Sequence, residues 1–478
     1  MERVGIAGWV AQRDLLATAL LSLAAVLLGA VVAASPEVAV TAFALAAVLA
    51  LALTAPLTLV VGLLALTAIL PYEVQKHYAI YAAGLPGLLP SDALLLGGMV
   101  RAALVLPHLS LDRGRRLIAA AMCAFIALVA VECAIGLTRG RDVSVVGAEF
   151  RHLAGFATLL IAMPLMDDPL ARRRLSGWLL ALGLALGLWG IAQWSLGISF
   201  GGIGDVGVRE GVNFTSAGRG QLQGGMFCFP VAVVLAAAAL ISGAIRGLAA
   251  SVVVVLVLLL NAVALLVTFE RTLWIATLLA LVVLVMRVGN RGRWRAIVWA
   301  PIVLALMVTA LHYASPQTIT TAEQRLRSVT DYSSDTSLRY RQLESRHVLD
   351  QIRAHRLAGS ALGAAVFWGR PASRVKAHEW TYTHNGYLWV AWKIGIAGAL
   401  LLVTMIVAGI AWRGPPRAEP LFVAVRLGAQ SALLAFLLIA LTFPVFNALS
   451  TSALIGVLLA MTAVPRDRLR SARAGAYH

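Results

Sequence analysis

The sequence predicts an all-α protein, a polytopic bundle of transmembrane helices carrying one large external loop. Three observations predict it. The 478-residue chain is 60% hydrophobic and only 13% charged, whereas soluble domains are roughly 45–50% apolar and about 25% charged. Long apolar stretches recur from Leu15 to Val464 without strand-like alternation, and in lipid the backbone must satisfy its own hydrogen bonds. Dense basic clusters punctuate these stretches, as they do in a multi-pass topology.

The apolar stretches read as about fourteen spans of bilayer-crossing length. They cover 15–34, 37–53, 57–70, 91–107, 117–137, 151–166, 175–197, 222–245, 248–268, 272–288, 296–313, 384–412, 420–441 and 444–464. The second, third and sixth are short enough to be re-entrant, which would leave about twelve. The chain therefore divides into helices with an external loop near 198–221 over 1–313, an external helical loop over 314–383, C-terminal helices over 384–464 and a basic tail over 465–478. Arg3 and Arg13 precede the first apolar run, and no small-residue cleavage site clearly ends it. That run reads as a retained helix.

The net charge of +17 comes from 39 Lys+Arg against 22 Asp+Glu, nearly all of it arginine. With both termini cytoplasmic, the clusters at Arg113/Arg115/Arg116, Arg172–Arg174, Arg287–Arg295, Arg413/Arg417 and Arg466–Arg473 fall on one side. The basicity is thus assigned to topology, and no nucleic-acid partner is expected. Cys123, Cys133 and Cys228 lie in apolar runs without a CxxC pair, so neither a disulfide framework nor a zinc site is expected. The histidines have no metal-ligand spacing, and no cofactor is expected.

The 314–383 loop lies on the opposite, external side. Its core, Ser337 to Arg356, reads as a helix, with Thr336 or Ser337 as cap and an uneven apolar stripe of Leu338, Leu343, Val348, Leu349 and Ile352. Arg339, Arg341 and Arg346 are helically spaced on it. Arg209, Arg219 and Arg271 also fall outside, against the orientation signal. Loop solvation or headgroup contact would explain the first two, and a pair with Glu270 the third. Arginine also suits phosphate, donating two parallel hydrogen bonds from a permanently charged plane. Lys393 within its span is open to two readings, a pair inside the bundle or a site role. His384 opens a spanning helix in Thr383-His384-Asn385-Gly386-Tyr387-Leu388. It reads as a cap or interface residue, or as a base at the membrane surface. Glu270, Asp335 and Glu379 are the carboxylates considered as its partner.

The segment His384-Asn385-Gly386-Tyr387-Leu388, followed by Gly395-Ile396-Ala397-Gly398, resembles the O-antigen ligase/polymerase family of bacterial membrane glycosyltransferases. So do the loop helix from Ser337-Leu338-Arg339 to Gly359 and the stretch Glu270-Arg271-Thr272-Leu273-Trp274. The chain departs from the family pattern with Arg356 where proline is usual, Ala361 where a second glycine is usual, and Lys393 where an acid often stands. The resemblance implies a bacterial inner-membrane enzyme that moves a glycan from undecaprenyl pyrophosphate to an acceptor hydroxyl on the external face, without a metal. The acceptor would be a glycan, lipid A–core or a protein, and membrane lipid a further partner. It implies His384, Arg339 and Arg271 as catalytic residues. Arg219, Arg209, Arg341 and Asn385 would contact the pyrophosphate or glycan. A transporter or flippase for lipid-linked glycan is the alternative. Many transporters show two similar halves. The sequence shows no such internal symmetry, its longest polar segment sits outside and not between halves, and intramembrane charges are sparse.

Overall fold

A computed structural model describes residues 46–70, 75–76, 79, 87–109, 111–196, 225–245, 247–314, 319, 323, 336–368, 378–412 and 419–463. The first expected span, the 198–221 loop and the basic tail lie outside the described residues, as do Arg209 and Arg219. The helices are α1 (Pro56–Ile69), α2 (Pro90–Val105), α3 (Arg113–Thr138), α4 (Val143–Ala154), α5 (Thr158–Ala162), α6 (Pro169–Leu196) and α7 (Cys228–Ser242). They continue as α8 (Leu248–Val267), α9 (Arg271–Arg287), α10 (Asn290–Ala314), α11 (Thr336–Ala354), α12 (Gly386–Ala411), α13 (Pro420–Ile439) and α14 (Leu449–Thr462). Among the described residues nine helical stretches are long and apolar enough to cross a membrane, so the protein is a multi-pass helical membrane protein. The expected span at 151–166 begins earlier. It runs Val143–Asp167 through a 3-10 break at Gly155–Ala157.

Helices that are apolar all round belong in the middle of a bundle. Every residue of α14 is buried, as are nearly all of α7. α14 lies against the break at Gly155–Ala157, where Thr158 Oγ1 donates to the Ala453 carbonyl at 2.7 Å. By contrast α10 leaves Trp294, Ile297, Val298 and Leu304 exposed, as a lipid-facing helix does.

The basic clusters among the described residues gather at one end of the bundle. At the start of α3, Arg115 pairs with Asp167 at 2.7 Å. Arg172 at the start of α6 lies over Phe422 at the start of α13. Arg287 at the end of α9 donates to the Ile410 carbonyl near the end of α12. The alternation expected from the charges therefore holds through these helices. Their other ends carry the loop region described next.

The loop helix was expected over Ser337–Arg356 and is found as α11 over Thr336–Ala354. Strand pairing was not expected. A two-stranded antiparallel hairpin, β1 (Val366–Trp368) with β2 (His378–Trp380), follows α11. The stretch between α11 and β1 buries Ser360, Ala361 and Leu362. It is stitched to a break in α12, where Ile394 and Gly395 leave helical geometry, with Gly395 at φ 78°, ψ 167°. Backbone freed inside a membrane helix must find partners, and this stretch supplies them. Ser360 N–H donates to the Trp392 carbonyl at 2.7 Å, and Ile396 N–H to the Arg356 carbonyl at 3.0 Å. A Cβ on Gly395 would run into the Leu357 carbonyl, so this glycine of the Gly-x-x-Gly pair is required by both φ and space.

The family departure at Ala361 has a visible cost. Ala361 sits at φ 69°, between Gly359 at φ 68° and Gly363 at φ 75°. The left-handed region costs an L-residue about 1–2 kcal/mol, while a glycine loses about 0.5–1 kcal/mol in unfolded-chain entropy. Ala361→Gly is therefore expected to raise stability by up to about 1 kcal/mol. A rise in the thermal midpoint of purified protein in detergent checks it, and a fall would mean that the buried Ala361 methyl contributes more than its backbone costs.

Candidate active site

His384 does not lie inside α12. It precedes the cap residue Asn385, whose Oδ1 accepts from Leu388 N–H at 3.0 Å. Asn385, expected to touch substrate, thus commits its carbonyl oxygen to starting the helix. His384 is held by Glu344 of α11 through two bonds. The Glu344 Oε1 atom accepts the His384 backbone N–H at 2.8 Å, and Oε2 lies 2.8 Å from the ring Nδ1. Glu344 is 2% exposed and His384 25% exposed, so the carboxylate is sealed while the imidazole still reaches outward. A carboxylate only accepts, so Nδ1 carries a proton, and in the neutral imidazole the lone pair is on Nε2. This is the orientation a general base requires.

The carboxylate found on His384 is Glu344, not among the three considered, of which Asp335 and the Glu379 side chain lie outside the described residues. The signal for Glu344 was its register. It stands one and two helical turns before Val348 and Ile352, both buried. A charged residue in line with the apolar stripe of a loop helix is one that packing will bury.

The turn between α13 and α14, absent from the sequence reading, collects the other arms. Gly386 N–H donates to the Ala440 carbonyl at 2.8 Å, and the Tyr387 hydroxyl to the Leu437 carbonyl at 2.5 Å. Thr442 Oγ1 donates to Thr272 Oγ1 at 2.8 Å, one residue beyond Arg271 at the start of α9. The Arg341 guanidinium lies 5.6 Å from the centroid of Phe443, a cation–π distance. His152 Nδ1 lies 2.8 Å from Asn447 Oδ1 and ties the turn down to α4. The neighbourhoods of Arg271, Arg341 and His384 therefore converge on one turn. Arg339 lies in the first turn of α11, two residues before Arg341, and its side chain is outside the described residues.

Lys393 is resolved in favour of pairing within the bundle. Its Nζ donates to Glu149 Oε1 at 2.6 Å and to the Ala364 carbonyl at 2.5 Å, while Glu149 Oε2 accepts Gly363 N–H at 2.7 Å. Both side chains are buried. The pair anchors the stretch after α11 to the break in α12.

The fold and site define a multi-pass helical membrane protein with a carboxylate-oriented histidine at one end of its bundle, flanked by arginine-bearing segments. Residues 254–403 match the family model described as O-Antigen ligase, the family that the His384 segment resembles. The match spans Arg271, α11 with Glu344, and His384, and it implies a glycosyltransferase-type enzyme. No curated protein matches the chain.

Proposed function

We propose that this protein transfers a glycan from undecaprenyl pyrophosphate to an acceptor hydroxyl on the external face of a bacterial inner membrane, without a metal ion. The observation that carries this reading is the Glu344–His384 dyad, set in a segment that matches the O-antigen ligase model. Nε2 of His384 takes the proton of the acceptor hydroxyl as its oxygen attacks the anomeric carbon. The bond from that carbon to the phosphate oxygen breaks, and the lipid pyrophosphate leaves. Arg271, Arg339 and Arg341 neutralise the charge that develops on it, a role in which fixed cations stabilise the transition state more than the ground state. Arg209 and Arg219 are assigned to the same phosphate site. The acceptor is a glycan, lipid A–core or a protein.

The test is transfer in vitro by purified protein, with an undecaprenyl-pyrophosphate-linked oligosaccharide, candidate acceptors and a chelator present. Arg271→Ala and Arg339→Ala are each expected to lower the rate by roughly 10²–10³-fold with folding preserved. Full activity in either variant removes that arginine from the site. If the wild type moves the lipid-linked glycan across a liposome without transferring it, the flippase reading replaces this one.

A further inference from the structure

We infer that Arg426 and Arg287 form a site for the phosphate of an anionic lipid headgroup, at the end of the bundle remote from His384. The inference goes beyond glycosyl transfer and does not depend on it. Elsewhere the bundle pairs the cations that it buries. Arg115 lies 2.7 Å from Asp167, and Lys393 2.6 Å from Glu149. Arg426 departs from this. It stands nearly two turns inside the apolar helix α13 and is half-buried. Its Nε is buried without a hydrogen-bond partner, and among the described residues its guanidinium makes no hydrogen bond or ion pair. The charged neighbour that acts on it is another cation, Arg287 at the end of α9. The acids at this end act elsewhere: Asp167 holds Arg115, and Asp167, Asp168 and Glu419 act on Arg172. A guanidinium carries five donors and is always charged. Charge drawn from water without a counter-ion is costly, and an anion shared by the two arginines would offset that cost.

The placement suits a lipid. Phe422, Arg426 and Gln430 follow one another at four-residue spacing and share one face of α13. The Arg426 guanidinium turns back toward the start of the helix and lies 5.9 Å from the Phe422 centroid. A long cationic side chain takes this direction when it snorkels to headgroup depth. Arg287 joins the same face at Gln430. Its Nη1 lies 3.0 Å from the Ile410 carbonyl and 3.4 Å from Gln430 Oε1, while Nη2 makes no hydrogen bond among the described residues. Gln430 is buried and fixed in turn, its Nε2 donating to the Gly409 and Trp412 carbonyls at the end of α12. The ends of α9, α12 and α13 are thus tied together where the two cations stand. Beside them Met286 of α9 and Val407 of α12 are exposed, which leaves apolar surface for acyl chains. A phospholipid is complementary on both counts. Its phosphate accepts paired bonds from a guanidinium, and basic pockets between membrane helices take anionic headgroups.

The experiment is native mass spectrometry of the full-length protein, delipidated in detergent and titrated with phosphatidylglycerol or with phosphatidylcholine of the same chains. The wild type is expected to retain phosphatidylglycerol in preference. Arg426→Gln and Arg287→Gln are each expected to weaken phosphatidylglycerol binding about 5-fold, the effect of one basic residue near an anionic headgroup, and to leave phosphatidylcholine binding unchanged. Arg174→Gln removes an exposed charge from the same end of the bundle and is expected to keep the wild-type preference. Thermal midpoints are recorded alongside. If Arg426→Gln unfolds, Arg287→Gln decides, because that side chain is exposed. Equal retention of the two lipids by the wild type overturns the site, as does unchanged binding in well-folded Arg426→Gln and Arg287→Gln. An equal loss in Arg174→Gln also overturns it, since the preference would then follow net charge. A second arm adds inorganic phosphate alone. No shift of the midpoint is expected, and a rise in the wild type that Arg426→Gln abolishes would replace the lipid with a soluble anion. Glycan transfer does not enter the readout, so failure of the glycosyltransferase reading leaves this test intact.

Discussion

His384→Ala is expected to lower the turnover of glycan transfer by about 10²–10⁴-fold, the range lost when a positioned general base is removed, while leaving the thermal midpoint near that of the wild type. The imidazole is partly exposed and outside α12, so its removal opens no core cavity. Glu344→Gln is the more informative change. The Glu344 carboxylate accepts from two donors, the His384 backbone N–H and ring Nδ1–H. A glutamine offers one carbonyl oxygen and one NH₂. If the oxygen serves the backbone, the NH₂ faces the ring, and Nδ1 must become the acceptor. The proton then moves to Nε2, the atom that has to take the acceptor's proton. Glu344→Gln should therefore lose most of what His384→Ala loses, with little change in KM for either substrate. Retention of wild-type turnover in Glu344→Gln would show that the carboxylate only holds the loop helix. Retention in His384→Ala would remove the histidine from the chemistry altogether.

How far the sequence leads can be seen residue by residue. Helices were legible because each carries its own apolar run, and their order was legible because arginine clusters mark alternate ends. α11 was legible from its stripe and its cap, and His384 from its place at a helix start. What escaped was set by packing between distant segments. Glu344 reads as one more polar residue on a hydrophilic helix until α11 lies along α12. The contacts Glu344 to His384 and Arg356 to Ile396 share one sequence offset, so the two helices run side by side in parallel. Glu149 escaped because the span containing it was started at residue 151, which left it in a loop and hid its match to Lys393. The α13–α14 turn escaped because no local pattern marks a stretch whose partners are in α4, α9, α11 and α12. β1 and β2 are too short for alternation to register. Ala361, where the resembled family pattern has glycine, holds a left-handed conformation that suits glycine.

The buried pair of Lys393 and Glu149 gives the largest expected effect on stability. Removing one partner of a buried pair costs about 3–5 kcal/mol, because the other charge is left without compensation. Lys393→Met strands Glu149 and also takes a donor from the Ala364 carbonyl. It thereby loosens the stretch whose Ser360 and Arg356 bonds mend the break in α12. Since α11 continues directly into that stretch, release at Lys393 should slacken the grip of Glu344 on His384. Lys393→Met is thus expected to lower both the thermal midpoint and the transfer rate, although Lys393 touches no substrate. A double substitution, Lys393→Met with Glu149→Leu, separates charge from architecture. Replacing both ions with apolar groups removes the desolvation cost, but Gly363 N–H and the Ala364 carbonyl still lose their partners. The double variant should recover part, not all, of the lost stability. Full recovery would assign the effect to charge burial alone. A wild-type midpoint in Lys393→Met would mean that the stretch after α11 is held by its backbone bonds without help from the pair.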